Sequence, residues 1–309
     1  MGGNAIRAAV VALALLQPGC AWLGLGASPA QQEAREARLA RTAAATSEPA
    51  PAPPKTVEER IAEADRYLSE GHKGQAAWNY LEAYRSDPKA VSPRVRIGYL
   101  EVARDPERAE ALFAAIVRDA PDSAEGHAGL GLARYAQNRL EPARDELERA
   151  LALDPGSART LSWLSAVYDA LGDAKRARDC AERAAKLRPD DPRIVNSLGV
   201  TALVAGDFSG AEESFRSAIL LEPNDPILRN NLGMALGRQG KYDEAYAEFR
   251  RAADEPAALN NLGYLYYLNG EHAKAIESFE KSLQAGGGDE RVTVVRNLEA
   301  ARQALERSR

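Results

Sequence analysis

The stretch "AALNNLGYLYYLNGEHAKAIESF", from Ala257 to Phe279, has close counterparts upstream in the chain. "RNNLGMALGRQGKYDEAYAEF" occupies Arg229 to Phe249, and "VNSLGVTALVAGDFSGAEESF" occupies Val195 to Phe215. Self-similarity at a fixed spacing is the signature of a repeat architecture. The sequence therefore predicts a series of equivalent structural units.

Small residues and prolines set the period of these units. Two small positions recur every 34 residues and prolines every 33 or 34: Gly131, Ser165, Gly199 and Gly233; Ala143, Ala177, Ala211 and Ala245; Pro88, Pro121, Pro155, Pro189 and Pro223. The step from Gly233 to Gly263 is only 30 residues. Four missing residues correspond to about one helical turn. We therefore expect the stack to tighten or change pitch there, with Pro256 in the first turn of the next helix.

The pattern resembles the tetratricopeptide repeat, a 34-residue helix–turn–helix with Leu-Gly, an aromatic residue, Ala, Phe and Pro at fixed places. In the clearest copy these positions hold Leu262, Gly263, Tyr266, Ala275 and Phe279. The resemblance implies an all-α fold, a right-handed α-α superhelix of about seven helix pairs. The copies are 57–90, 91–123, 124–157, 158–191, 192–225, 226–255 and 256–289, and residues 290–309 form a C-terminal capping helix.

The residues between the two helices of a copy support this interpretation. Six copies carry a glycine or an asparagine there: Gly71, Asn138, Gly172, Gly206, Gly240 and Gly270. These two residue types most readily adopt the left-handed conformation just past a helix end. The small residues on the two helices allow their backbones to approach closely, because larger side chains would overpack the contact.

The capping segment carries Val292, Val295, Leu298, Ala301 and Leu305 at helical spacing. A solenoid needs an end with a polar outer face. We expect this segment to supply that face, and an interaction helix is the alternative.

Composition and motifs argue against catalysis. Hydrophobic residues form 45% and charged residues 28% of the chain, and the net charge of −5 with mixed signs gives no basic footprint for nucleic acid. His72, His127 and His272 lie in three different copies, and Cys180 has the features of a small packing residue. Nucleophile, zinc-protease and P-loop strings are absent from the sequence. We expect no enzyme activity, cofactor, metal or small-molecule substrate.

The first residues have the features of an export signal. An apolar run from Ala8 to Leu16 follows one arginine and is too short to span a bilayer as a mature helix. Cys20 stands where bacterial lipoproteins carry their lipidated cysteine, although Gln17 and Pro18 depart from that pattern. This resemblance implies a signal peptide over 1–19, lipid on Cys20 and an outer-membrane lipoprotein facing the periplasm. Cleavage after Ala30, giving a soluble periplasmic protein, is the alternative.

Residues 20–56 are expected to form a tether. From Gln31 onward the segment is rich in Ala, Arg, Glu and Pro, and it ends in "EPAPAPPK", Glu48–Lys55. Such proline-rich sequences favour an extended, polyproline-like backbone. The tether would hold the repeats away from a membrane.

The tyrosines of the opening stretch divide between two helix faces. At 100° per residue, Tyr266 belongs to a core stripe with Leu259 and Leu262, whereas Tyr264 and Tyr267 point about a third of a turn away. In the resembled family that flank lines a groove. Equivalent positions give the candidate protein-binding residues Tyr99, Leu132, Tyr135, Asn196, Val200, Leu203, Asn230, Met234, Asn260, Tyr264 and Tyr267.

This predicted groove is an apolar strip with an asparagine edge. Asparagine offers both a donor and an acceptor, so the edge could bind a peptide backbone. The partner would present an apolar peptide segment or helix. The lysines with which chaperone adaptors of this family clamp a carboxylate are missing. The alternative is that neighbouring helices or the C-terminal segment cover the strip.

Signal, tether and repeats in this order resemble the repeat lipoproteins that assist pilus or secretion assembly, such as the tight-adherence pilus assembly lipoproteins and the type IV pilus pilotins. The resemblance implies a protein-binding scaffold at the outer membrane. Two alternatives remain: an intracellular regulatory adaptor, and a non-catalytic repeat subunit of an envelope enzyme complex.

Overall fold

A computed structural model describes residues 56–286 and 291–308. These residues contain fifteen α-helices and no β-strand. The predicted all-α repeat architecture with a C-terminal helix is thereby confirmed. The predicted signal peptide, Cys20 and all of the tether except Thr56 lie outside the described residues.

The helices follow one another with short connections. The first eight are α1 (Val57–Ser69), α2 (Lys73–Ser86), α3 (Val91–Glu101), α4 (Pro106–Asp119), α5 (Ala124–Ala136), α6 (Leu140–Leu153), α7 (Ala158–Leu171) and α8 (Ala174–Leu187). The other seven are α9 (Pro192–Ala205), α10 (Phe208–Leu221), α11 (Pro226–Arg238), α12 (Tyr242–Ala252), α13 (Glu255–Leu268), α14 (His272–Gln284) and α15 (Arg291–Arg307). Each predicted copy contains one helix pair, and α13 begins one residue before its copy. We call the first helix of a pair helix A and the second helix B.

The described residues divide between two compact units, here called the N-terminal unit (residues 56–167) and the C-terminal unit (residues 168–308). The boundary lies within α7, in the fourth copy.

The turn between the two helices of a pair has the predicted backbone conformation. Six turns contain one residue with positive φ: Gly71, Asn138, Gly172, Gly206, Gly240 and Gly270. Asn138, with φ of 60°, is the one non-glycine residue among those described that adopts it. A left-handed residue lets the chain reverse after helix A, so the helices of a pair are antiparallel.

The short step between the sixth and seventh copies removes residues from a helix B. α12 has 11 residues, whereas α10 has 14. Asp254 caps α13 by accepting a hydrogen bond from the Ala257 N–H, and Pro256 lies in the first turn, as predicted. The expected change of pitch stays a prediction.

In five of the seven pairs the core contains an aromatic ring of helix B set against a small residue of helix A, and Leu147 and Ala181 replace the ring in the third and fourth pairs. In the C-terminal unit, a Cβ added to Gly233 would lie 2.5 Å from the Phe249 ring, and one added to Gly263 would lie 2.7 Å from the Phe279 ring. Both rings are fully buried. The small residue of helix A therefore leaves room for the aromatic ring and also lets the two helix backbones approach closely.

The helix α15 packs on α14 and continues the helix-A pattern. Its Val294, Leu298 and Ala301 are buried, whereas Val292 is exposed, so the apolar positions are shared between two faces. Glu299 occupies the position of Gly263, and its side chain is exposed. A charged residue fits there because, among the described residues, no helix B packs on α15. This is the polar outer face that a solenoid end requires.

Candidate functional site

The predicted groove residues lie on helices A of both units. We call Tyr99, Leu132 and Tyr135, on α3 and α5, the N-terminal face. The C-terminal face consists of the residues on α9, α11 and α13: Asn196, Val200, Leu203, Asn230, Met234, Asn260, Tyr264 and Tyr267. The two faces differ in what fills them.

A ladder of asparagine pairs runs along the C-terminal face. Each pair joins one helix A to the next by an amide–amide hydrogen bond: Asn231 Nδ2 to Asn196 Oδ1 (2.9 Å), Asn261 Nδ2 to Asn230 Oδ1 (2.7 Å) and Asn297 Nδ2 to Asn260 Oδ1 (3.1 Å). The predicted asparagine edge is thus present, but its oxygens already accept bonds from the following helix. The amide N–H groups of this edge are therefore the main groups that remain to bind a partner.

Four predicted groove residues are buried. Met234 is 2% exposed, and Leu203, Asn196 and Asn260 are also buried. Val200 and Tyr264 pack against the apolar cluster that contains Met234, and the two asparagines are held in the ladder. The structure therefore corrects the placement of these four residues in an open groove.

The residues of the C-terminal face that stay partly accessible are Val200, Asn230, Tyr264 and Tyr267. The rings of Tyr264 and Tyr267 are stacked, with centroids 6.3 Å apart. Burial, and secondarily the neighbouring Tyr267, raises the pKa of the Tyr264 hydroxyl. The stacked rings of Tyr264 and Tyr267 thus lie side by side at one end of the ladder.

The capping helix covers part of this tyrosine pair. Tyr264 and Tyr267 pack against the cluster formed by Phe279, Val294 and Leu298. The alternative that the C-terminal segment covers the strip is thus realised in part, because each tyrosine keeps an accessible portion.

The predicted core position of Tyr266 holds only in part, because its side chain packs against the cluster of Phe279, Val294 and Leu298 without being fully buried. Its side chain is half-buried, with its ring 4.5 Å from that of Tyr242 and the Lys274 ammonium 5.4 Å from the ring centroid. Leu265 is instead the fully buried large side chain of α13. A helix packed on both sides by neighbouring pairs buries a wider arc than the single stripe that helical periodicity defines.

The N-terminal face is filled by aromatic side chains of its own unit. The Tyr99 ring lies 5.2 Å from Phe113 and 5.6 Å from Trp163, which is only 9% exposed. Gly129 makes room for them, because a Cβ there would lie 2.0 Å from the Phe113 ring. Burial raises the pKa of the Tyr99 hydroxyl. Leu132 and Tyr135 remain half-buried.

A clamp that the sequence did not reveal ties helix A to helix B in two copies. The Arg229 guanidinium donates to the Pro223 carbonyl (2.7 Å) and to Glu248 (3.2 Å). In the third copy His127 takes the equivalent place. Its ring nitrogens lie 2.9 Å from the Pro121 carbonyl and 2.6 Å from Glu146. The buried His127 is therefore a structural residue. The sequence already showed that His127 and Arg229 occupy the same position in their copies, which could have indicated a shared structural role.

The described residues hold no group of three His, Cys, Asp or Glu side chains arranged to bind a metal ion. Within residues 56–286 and 291–308, every helix is too short or too polar to cross a membrane.

The family model of the tetratricopeptide repeat matches residues 98–158, 167–226, 201–256 and 230–290, which together are more than half of the chain. A comparison with curated protein sequences gave no match.

Solved structures of other repeat proteins are similar in fold. A chain of the APC/C hetero-tetramer Cut9–Hcn1 has a TM-score of 0.61 and 17% identity, over 80% of this chain and 49% of that one. This chain thus spans about half the length of that relative. A repeat protein from Parabacteroides merdae (TM-score 0.52, 16% identity) is matched over 80% and 99%, and pilF from Pseudomonas aeruginosa (0.51, 20%) over 68% and 96%. At these identities the likeness establishes the fold alone.

Proposed function

Because this chain belongs to the tetratricopeptide repeat family, we propose that it is a non-enzymatic scaffold that binds a segment of a protein partner on its C-terminal face. The observation that supports this site is the asparagine ladder ending beside the stacked pair Tyr264 and Tyr267. Amide N–H groups suit the carbonyls of a peptide backbone, and the tyrosine rings suit apolar side chains. The partner therefore presents an apolar peptide segment or helix.

The energy available at this face is modest. A tyrosine buries about 150–250 Å² in full, and half of that remains for each half-buried ring. At about 25 cal/mol per Å², two rings contribute at most roughly 4–6 kcal/mol, before the cost of ordering the partner segment. Tyr264 and Tyr267 would then dominate a small interface, as aromatic anchors often do.

The setting we propose is the bacterial envelope. Cys20 directly follows the apolar run Ala8–Leu16, which supports lipidation, and Ala21 after it supports sorting to the outer membrane. The scaffold would then assist assembly of an envelope machine such as a pilus or a secretion system. An intracellular adaptor and a non-catalytic subunit of an envelope enzyme complex remain the alternatives.

Site-specific photo-crosslinking tests the binding face. A benzophenone amino acid replaces Tyr267 in one protein and Tyr266 in a matched control, since both residues lie half-buried on α13. We expect a specific protein adduct from position 267 and none from position 266. Equal adducts from both positions, or partner capture without any adduct at 267, would refute this face.

Membrane attachment has its own test. Cys20→Ser should move the protein from the membrane to the soluble fraction and abolish labelling by a fatty acid, because two or three acyl chains at about 0.8 kcal/mol per buried methylene anchor firmly. Ala21→Ser is the control and should remain anchored. A soluble wild-type protein, or a mature N-terminus at Gln31, contradicts lipidation.

A further inference from the structure

Helix α2 has two apolar faces. One is buried in its own pair and contains Ala76, Tyr80 and Ala83. The other, which we call the outer stripe, consists of residues at helical spacing: Gly74, Ala77, Trp78, Leu81 and Tyr84. Trp78 is 53%, Leu81 42% and Tyr84 39% exposed. Large apolar side chains grouped on one solvent face generally mark a contact surface.

The other helices B show that Trp78 and Leu81 are exceptional. The positions equivalent to Trp78 hold small or acidic residues: Ala111, Asp145, Asp179, Glu213, Ala247 and Glu277. The positions equivalent to Leu81 hold alanine or charged residues: Ala114, Glu148, Glu182, Arg216, Arg250 and Glu280. Eleven of the twelve are exposed, and Glu280 is partly buried. The repeat fold itself therefore does not require an apolar residue at either place.

The start of the described chain lies at the end of the first pair where the outer stripe also ends. Because α1 and α2 are antiparallel and joined through the turn at Gly71, the start of α1 lies at the same end of the pair as the end of α2. Fifty-five residues precede Thr56, and the last eight are "EPAPAPPK". A proline-rich stretch is thus joined to the chain at the same end of the pair as the end of the outer stripe.

We propose that the outer stripe is the docking surface for this proline-rich stretch, Glu48–Lys55, of the same chain. Proline-rich segments dock on aromatic-lined surfaces because their extended backbone is already ordered and their rings pack on aromatic faces. Direct linkage at Thr56 gives the segment a high effective concentration at the stripe.

The segment is long enough to reach. Trp78 lies eight residues before Ser86, the end of α2, which is about 12 Å along the helix axis. At about 3.1 Å per residue, roughly four residues of polyproline helix cover that distance. Pro53 and Pro54 lie within four residues of Thr56, and Pro51 and Pro49 lie five and seven residues from it, so the segment can extend along the whole stripe.

The size of the stripe favours a short segment over a second copy of the chain. A stable complex between two proteins buries about 800 Å² on each partner. Three partly exposed side chains offer roughly a third of that area, because an aromatic residue buries about 150–250 Å² in full. The surface is separate from the C-terminal face and does not depend on its function.

Tryptophan fluorescence tests the proposal in the full-length chain. Trp22 is replaced by phenylalanine, and the signal of the buried Trp163 is subtracted with a Trp78→Phe protein. Replacing Pro49, Pro51, Pro53 and Pro54 by serine should shift the Trp78 emission to the red. Acrylamide quenching should rise about two-fold, because a docked ring shields about half of the exposed area. The control Ala50→Ser with Ala52→Ser keeps all four prolines and should leave Trp78 unchanged.

Unchanged emission and quenching in the four-serine protein would overturn the proposal. So would Trp78 protection that depends on protein concentration, which identifies a second copy. Protection that appears only with phosphatidylglycerol–phosphatidylethanolamine vesicles would overturn it in favour of a membrane surface. Thermal melts should show that the four-serine protein remains folded, with at most a small loss from the undocked segment, because every substituted proline precedes Thr56.

Discussion

The N-terminal and C-terminal faces occupy equivalent helix-A positions and are closed in different ways. On the first, Tyr99, Phe113 and Trp163 fill the space left by Gly129. On the second, side-chain amides pair from one helix to the next, and Tyr264 and Tyr267 keep accessible portions. Equivalent backbone positions thus yield a packed surface in one unit and a partly open polar–aromatic surface in the other, according to the side chains placed there.

The largest expected effect breaks the aromatic packing of the N-terminal face. Trp163→Ala should destabilise the protein by about 3–5 kcal/mol, because it empties a large buried volume beside Tyr99. Trp163→Phe keeps a ring and should cost clearly less. Urea denaturation measures both. Equal losses would mean that ring packing is not what closes this face.

The same substitution at two glycines tests whether Gly129 is needed for the packing of the Phe113 ring. Gly129→Ala should destabilise by about 1–3 kcal/mol, because its Cβ would lie 2.0 Å from the buried Phe113 ring. Gly74→Ala is the matched control, since a Cβ there meets nothing within 4 Å and alanine favours the helix by up to about 1 kcal/mol. Thermal unfolding should therefore give shifts of opposite sign, and shifts of the same sign would contradict the packing argument.

The asparagine ladder is tested by a double-mutant cycle. Asn231→Ala should destabilise by about 1–3 kcal/mol, because it leaves the buried Asn196 carbonyl oxygen without its donor. Removing both side chains should cost less than the sum of the single changes. The half-buried Asn230–Asn261 pair should show a weaker loss, since water can replace the missing partner. Purely additive effects of the Asn196 and Asn231 substitutions would show that the two side chains do not stabilise each other.

The smallest effect is alkaline destabilisation. Burial raises the pKa of Tyr99 above the unfolded value of about 10, so the unfolded state loses its proton first. The corresponding stability is fully present below pH 10 and is lost as pH rises through the folded pKa. Tyr99→Phe should therefore reduce the fall in stability between about pH 9 and pH 11. Tyr264→Phe tests the same point on the C-terminal face, and denaturant midpoints at both pH values provide the measurement.

Much of the fold was accessible from the sequence because it depends on local chemistry repeated at a fixed period. The left-handed turn residues and the first-turn position of Pro256 were predicted correctly. The site was less accessible. Helical geometry gives the direction of Met234 or Tyr266, but burial depends on the neighbouring pairs on both sides of the helix.

Two features that were not predicted can nevertheless be recognised in the sequence. The doubled asparagines at Asn230–Asn231 and Asn260–Asn261 recur at the repeat spacing, which is what a ladder between successive helices requires. The position of Trp78 is small or acidic in every other copy. Comparing copies position by position, in addition to seeking the shared motif, would have identified both.

The sequence by itself determined the helix pairs, their turns and the small positions, because period, glycine conformation and ring-sized gaps are properties of short segments. Only the tertiary structure decided which side chains of helix A are exposed, since that depends on side chains contributed by the helices before and after it. Met234 is apolar and correctly directed, yet it is buried within a cluster against which Val200 and Tyr264 pack from the flanking copies. The distinction between a packed surface and a binding surface lies in such contacts between copies, which no single copy encodes.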